Sequence, residues 1–196
     1  NWQIAEQVRV LSGLRYSVVD WEFGDVTGNA SDVSGRFRGL VDVTDTQRVF
    51  AGVSRGFRAP NLQNLDGAVD RGSSGQAAQG NPELEPEVSW TTEGGWRWQE
   101  GANTVALTLF HTVIDDLIQR DFRGEGEFTN VEDATLMGFE SDWNLGLTSE
   151  NLGCRLSFVG SVSLVDAVKD IPQEDGTVRE DNLSRANRLY GRVGLR

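Results

Sequence analysis

The sequence predicts an all-β fold, an antiparallel up-and-down meander of about eight long strands. Three observations predict it: apolar and polar residues alternate with a period of two, the alternating segments are long, and short turns alternate with longer linkers. The chain has 196 residues, of which 23 are glycine and 4 are proline. No segment carries the apolar stripe of an amphipathic helix.

The stretch 87–99 shows the alternation most clearly. Its apolar face consists of Val88, Trp90, Thr92, Trp96 and Trp98. Because successive side chains of a strand point to opposite faces, the residues between them form a charged and polar face. The same pattern predicts the strands 7–23, 33–44, 47–58, 86–99, 102–119, 127–147, 152–166 and 184–196.

The connections between these strands alternate in length. Tight turns are predicted near 5–7, 44–47, 99–102 and 148–151, and longer linkers at 24–32, 59–84, 121–127 and 166–184. A sheet with short turns at one end and long loops at the other is typical of an outer-membrane barrel. Several strands also match or exceed the roughly 9–11 residues that a tilted strand needs to cross a bilayer.

Two architectures share this pattern. In a soluble β-sandwich the apolar face is buried between two sheets, whereas in a membrane barrel it faces lipid. The tryptophans distinguish them: a sandwich buries Trp90, Trp96 and Trp98, and a barrel turns these rings outward as part of an interfacial girdle. The pattern alone leaves both architectures open.

Composition excludes several classes of site. The net charge is -12, which disfavours nucleic acid as a partner because the phosphate backbone is also negative. Cys154 is the single cysteine and His111 the single histidine, so neither an internal disulfide nor a multi-histidine metal site is possible. We therefore expect no resident metal and no cofactor.

One pair of carboxylates has the spacing of a hydrolytic site. Glu140 and Asp142 share a strand face at roughly 6.5–7 Å by strand rise, which is within reach of paired-carboxylate glycoside hydrolysis. A solvated strand face is the simpler interpretation. With no arrangement of nucleophile, base and acid elsewhere, the sequence predicts that the protein is not an enzyme.

Four stretches, in their order along the chain, resemble motifs of TonB-dependent receptors. They are 49–62, which contains Ser-Arg-Gly-Phe-Arg-Ala-Pro; 80–87, which reads Gly-Asn-Pro-Glu-Leu-Glu-Pro-Glu; 109–118; and 130–134 followed by 138–142. The resemblance implies that the first motif ends a strand as it leaves the membrane and that the second enters the next strand. It implies a structural role for Arg55, Gly56, Phe57, Arg58, Ala59, Pro60, Asn81, Pro82, Pro86, Glu87, Gly138 and Glu140.

The resemblance also implies a location and a function. Residues 1–196 would be part of a larger transmembrane β-barrel in a Gram-negative-type outer membrane, with the plug domain, the N-terminal strands and the final strands absent. Family barrels have about 22 strands around a plugged lumen. The expected function is TonB-energised uptake of a scarce solute of the siderophore-iron, cobalamin or glycan type. The alternatives are a passive porin-like channel and a soluble carbohydrate-binding β-sandwich.

The expected partners follow from that family. They are outer-membrane lipid, the TonB complex through the absent N-terminal parts, and a small-molecule or glycan solute, with no nucleic acid. Loops carry ligand contacts more often than strands do. In the longest linker, the candidate ligand-binding residues are therefore Asn61, Gln63, Asn64, Asp66, Asp70 and Arg71. Asp66 and Asp70 also form a candidate calcium contact, although an exposed loop is the simpler interpretation.

Overall fold

A computed structural model describes residues 2–23, 26–66, 79–120, 126–149, 154–172, 178–183 and 189–196. Nearly all of these residues lie in strands. The elements are Trp2–Ala5 (β1), Val8–Phe23 (β2), Val26–Asp42 (β3), Gln47–Arg58 (β4), Leu62–Asp66 (α1), Glu87–Glu100 (β5), Asn103–Arg120 (β6), Phe128–Ser149 (β7), Cys154–Pro172 (β8), Val178–Asn182 (β9) and Leu189–Leu195 (β10).

The strands form one antiparallel sheet in chain order from β1 to β8, followed by β10, while β9 pairs with the far end of β8. This arrangement confirms the predicted up-and-down meander. All eight predicted strands are present, and the short strands β1 and β9 are added to them. A single continuous sheet does not support the sandwich alternative, which requires two sheets packed face to face.

Two predicted linkers are wrong in the described residues. Most of 24–32 is strand, because β3 already pairs with β2 at Val26, opposite Phe23. In the same way, part of 166–184 extends β8 to Pro172 and forms β9. Backbone pairing extends the strands through polar residues that lack period-two alternation. Residues 67–78, 121–125 and 150–151 of the other predicted connections lie outside the described residues.

The helical turn α1, which is the single helix of the described part of the chain, was also not predicted. It has five residues and lies in the long connection between β4 and β5. Across the described ranges, no helix is long and apolar enough to cross a membrane.

The sheet has an apolar face and a polar face, as the alternation predicts. The apolar face is exposed: Trp90 is 49% accessible, Leu109 64% and Met137 50%. The opposite face carries ion pairs that join neighbouring strands, such as the pair between Arg38 and Glu93. Large apolar side chains are therefore presented outward from the sheet rather than packed into a core.

Aromatic rings cover glycines on neighbouring strands at directly paired positions. The pairs are Trp21–Gly28, Phe50–Gly95, Phe110–Gly138 and Trp143–Gly160. A Cβ atom built on Gly138 would lie 2.5 Å from Cζ of Phe110 and 2.7 Å from the carbonyl oxygen of Leu164. Glycine thus leaves the space that the ring occupies.

A small hydrophobic cluster lies at the end of the sheet where the long connections are. Leu65, Leu84 and Ile118 are buried, and Trp21 and Phe128 pack against them. Trp21 belongs to β2 and Ile118 to β6, which is four strands away in the sheet. Leu65 and Leu84, which belong to the two described ends of the connection between β4 and β5, are therefore anchored to strands that lie far apart in the sheet.

Candidate functional site

The four sequence motifs meet beside this cluster, at the long-loop end of β4 to β7. We call this place the rim junction, and it consists of Arg58, Asn81, Leu84, Glu87, Ile118 and Asn130. Each motif contributes at least one of these residues, although the motifs span nearly half of the chain. The contacts among them show what each motif does.

Glu87, the first residue of β5, accepts hydrogen bonds from two other motifs. Its side chain is almost buried, and Nε of Arg58 donates to its Oε2 at 2.6 Å while Nη2 of Arg58 donates to Oε1. The backbone N–H of Ile118 also donates to Oε1, at 2.8 Å. A buried carboxylate is costly unless a cation and hydrogen-bond donors surround it. Because the three donors come from Arg58 and Ile118, Glu87 links the start of β5 to the ends of β4 and β6.

Asn130 joins the incoming loop to β6 and β7. Its Nδ2 donates to the carbonyl oxygens of Glu85 at 2.9 Å and Asp116 at 2.7 Å, and its Oδ1 accepts from the N–H of Glu85 at 2.9 Å. One side chain therefore satisfies three backbone groups that no strand ladder pairs. Asp116 has a φ of 57°, in the left-handed region, where Asp and Asn are tolerated better than most residues.

Asn81 makes a similar connection earlier in the same loop. Its Nδ2 donates to the carbonyl oxygen of Phe128 at 3.1 Å, and its Oδ1 accepts from the N–H of Glu83 at 2.9 Å. Its own N–H donates to the carbonyl oxygen of Asn64 in α1 at 2.9 Å. The prolines beside it, Pro82 and Pro86, restrict the backbone of this return into β5.

Two asparagine side chains cap the start of helix α1, on the β4 side of the same connection. The Oδ1 of Asn61 accepts from the N–H of Asn64 at 2.9 Å, and the Oδ1 of Asn64 accepts from the N–H of Asn61 at 3.1 Å. This reciprocal pair resembles a capping box at the start of a helix. Pro60 before it is buried, and Leu65 after it is only 2% exposed.

These contacts separate the predicted ligand-binding residues into groups. Asn61 and Asp66 are exposed and Gln63 is half-buried, whereas Asn64 is 7% exposed and its side-chain Oδ1 accepts from the N–H of Asn61 in the cap. Asp70 and Arg71 lie outside the described residues. Within the described residues, no group of three or more acidic, histidine or cysteine side chains is arranged to hold a metal ion.

The remaining motif residues lie along β4 and β7. Arg55 donates from Nη1 and Nη2 to the carboxylate of Asp32 at 2.7 and 2.6 Å, and also to the carbonyl oxygen of Val33. Glu140 is exposed on the polar face opposite Thr108 and Ser163. Phe57, near the end of β4, and Ala59, just after β4, are both half-buried.

The electrostatics of the rim are acidic around Asp116. Partial burial raises the pKa of Asp116 above its ordinary value, and the negative charges of Glu85 and Asp133 raise it further. Asp116 is the fourteenth residue of β6, counted from Asn103 at the short-turn end, and it lies outside the roughly 9–11 residues that span the membrane.

The sequence motif that contains Ile118 was recognised, but nothing in the sequence indicated that the N–H of Ile118 donates to Glu87.

Comparison with known proteins accounts for this combination of sheet and motifs. The whole chain, residues 1–196, matches the family described as "TonB dependent receptor-like, beta-barrel". The chain therefore belongs to the β-barrel family of TonB-dependent receptors.

Two kinds of relatives support that membership. An "Iron-regulated outer membrane virulence protein" from Vibrio cholerae serotype O1 is 35% identical over 121 residues, which are 61% of this chain and 18% of that protein. Among solved structures, "Copper transporter OprC" has a TM-score of 0.76 at 21% identity and covers 99% of this chain and 30% of its own. The siderophore receptor PirA from Pseudomonas aeruginosa has a TM-score of 0.62 at 18% identity, covering 98% of this chain and 39% of its own.

Family membership fixes the location and the direction of the two faces. The chain is part of an outer-membrane barrel, and its family and its structural neighbours are transporters and receptors rather than enzymes. In such barrels the apolar face contacts lipid and the polar face lines the lumen. The exposed Trp90, Leu109 and Met137 therefore face the membrane. The chain spans under a fifth of the length of the curated relatives that it matches.

Proposed function

We propose that this chain forms the late barrel wall and the bases of the extracellular loops in a receptor that takes up an iron-siderophore complex with energy from TonB. Residues 1–196 are then an internal portion of a longer protein that also has a plug domain and further strands. The rim junction carries this proposal, because it holds the base of the longest loop rigidly at the end of the sheet where the long connections lie.

Two observations support iron as the cargo. The relative at 35% identity is described as iron-regulated. Among the structural neighbours are the siderophore receptor PirA, the alcaligin receptor FauA from Bordetella pertussis and the ferric enterobactin receptor PfeA from Pseudomonas aeruginosa. Copper appears in the description of another neighbour, so a second metal cargo is the alternative to test.

The rim junction suggests how the loop contributes. The exposed side chains Asn61 and Asp66, together with Gln63, Asp70 and Arg71, are the proposed ligand contacts, while Asn64 holds Asn61 at the start of α1. A ligand that binds to a loop with a fixed base loses less conformational entropy from the protein than one that must order the whole loop. The rim junction would thus increase affinity without contacting the solute.

Uptake in cells tests this proposal. A strain that lacks the gene is complemented with the full-length receptor. Accumulation of radioactive iron is measured with ferric enterobactin and with ferric alcaligin as the supplied complexes, and accumulation of copper is measured in parallel. We expect uptake of at least one ferric siderophore in the complemented strain, abolished when TonB is deleted. Uptake that continues without TonB would favour the passive channel, and uptake of copper alone would replace iron as the cargo.

A further inference from the structure

A groove opens on the lipid-facing side where β3 and β4 separate. The ladder between these strands ends at the pair Gly35–Arg55, and beyond it the backbone of β3 pairs with β2 alone. The groove at this fork has a volume of about 610 Å³. We call it the fork groove, and its side-chain walls are Leu14, Val33, Phe37, Val53, Arg55 and Trp90.

The walls of the fork groove are mostly apolar and are uncovered by the described chain. Val33 is 47% exposed, Phe37 54%, Val53 39% and Trp90 49%. The volume lies within the range of about 300–1,000 Å³ that is usual for small-molecule sites. Burying such a surface is favourable, so an apolar occupant of suitable length would bind there.

The fork groove has a polar end and an apolar end. At the loop side, Arg55 holds Asp32 with two hydrogen bonds, and its guanidinium carbon lies 6.0 Å from the ring centroid of Trp90. Trp90 is about ten residues from the short-turn end of β5, close to the full span of a membrane strand. A tryptophan at that depth marks the interface between lipid and water. Towards the short turns, the walls are Phe37 and Val53.

We propose that the fork groove binds one acyl chain of an outer-membrane lipid. The groove is continuous with the surface that already contacts the bilayer, so a lipid reaches it by lateral diffusion without leaving the membrane. Its polarity runs in the direction of a lipid in the outer leaflet, with the charged end at headgroup depth and the apolar end towards the membrane centre. The Arg55–Asp32 pair closes the upper end and sets the depth of the chain.

Retention of lipid by the purified full-length protein tests the site. The wild-type protein, Val53→Trp and Val49→Trp are extracted in mild detergent, stripped of loosely bound lipid and weighed by native mass spectrometry. Val49 is the matched control, because it lies on the same strand and the same face with 37% exposure but outside the fork groove. Val33→Trp fills the groove from the opposite wall and replaces Val53→Trp if that variant does not fold.

We expect the wild-type protein and Val49→Trp to retain one lipid. In Val53→Trp and Val33→Trp the retained fraction should fall by more than about tenfold, since each excluded methylene lowers the binding constant roughly fourfold. A wild-type protein without retained lipid, equal retention in Val53→Trp and Val49→Trp, or a retained species that is a peptide would overturn the proposal. This readout does not depend on transport, so it stands or fails separately from the proposed uptake function.

Discussion

The guanidinium of Arg58 and the carboxylate of Glu87 are joined at two points, at the last paired position of β4 and β5. The two partners differ in exposure: the side chain of Arg58 is 51% exposed and that of Glu87 is 11% exposed. Losing one partner therefore has a different cost from losing the other, because an exposed cation remains solvated and a buried carboxylate does not.

Substitution of this pair tests the asymmetry. Arg58→Ala should lower the free energy of unfolding by about 1–3 kcal/mol, since it leaves a buried acceptor without its charged donor. Glu87→Gln should cost less, because glutamine still accepts from the N–H of Ile118. Urea unfolding of the full-length protein in detergent measures both, and a larger loss in Glu87→Gln than in Arg58→Ala would contradict this account.

The glycine beneath Phe110 provides a second test. Gly138→Val should destabilise the barrel by about 1–3 kcal/mol, as expected for overpacking, because the new side chain meets both the ring and the carbonyl oxygen of Leu164. Combining it with Phe110→Ala should restore only part of the loss, since the carbonyl oxygen remains. Gly39→Ala is the control, because nothing lies within 4 Å of its added Cβ atom. Thermal unfolding of these variants compares them, and an equal loss at Gly39 would refute the packing argument.

Asp116 should make stability depend on pH. Its raised pKa means that the folded protein binds this proton more tightly than the unfolded chain does. The stabilising contribution is therefore complete below the ordinary value of 3.8 and is lost as the pH rises through the higher folded pKa. Asp116→Asn should raise the unfolding midpoint relative to wild type at pH 7 and lose that advantage below about pH 4.

The backbone of Asp116 requires its own control. Asp116→Val carries no charge, but valine is disfavoured at a φ of 57° and should destabilise the protein at both pH values. If Asp116→Asn and Asp116→Val behave alike, the charge and not the backbone conformation dominates at this position.

Asn130 should control the mobility of the loop base. Asn130→Ala removes three hydrogen bonds that join Glu85 and Asp116, so amide hydrogen exchange in residues 79–87 should become faster. Asn144→Ala, which removes a single contact to the carbonyl oxygen of Ala102 at the opposite end of the sheet, serves as the control. Unchanged exchange in residues 79–87 of Asn130→Ala would show that the cluster around Leu84 is sufficient to hold the loop.

The strand with the clearest alternation could be predicted from the sequence to within one residue at each end. The stretch 86–99 became Glu87–Glu100, because its tryptophans separate the two faces clearly. The beginning of β3 could not be predicted, since Gly28 and its neighbours lack large apolar side chains. Trp21 on the paired strand supplies the packing there, and a contact between strands is not visible in local periodicity.

The rim junction shows the same limit for the site. The motifs were recognisable one by one, and the prolines and glycines in them had local explanations. That Arg58, Glu87, Ile118 and Asn130 meet was not predictable, because their contacts join positions far apart in the sequence and depend on the end-to-end lengths of four strands. The deep burial of Asn64 likewise depends on the cluster to which α1 is attached.

The four ring-and-glycine pairs have a consequence for how the strands find their alignment. A slip of one residue between β6 and β7 would bring Phe110 opposite Met137 or Phe139, and a slip of two would bring it opposite Leu136 or Glu140. Long strands with repeating faces offer many such near-equivalent registers. A slip of one or two residues moves Trp21, Phe110 and Trp143 off their glycines, so misaligned hairpins are disfavoured during assembly at these three pairs. Phe50 discriminates less, because Gly94 lies beside its partner Gly95. Chimeras that exchange single strands between relatives should therefore assemble only when the ring and its glycine are transferred together.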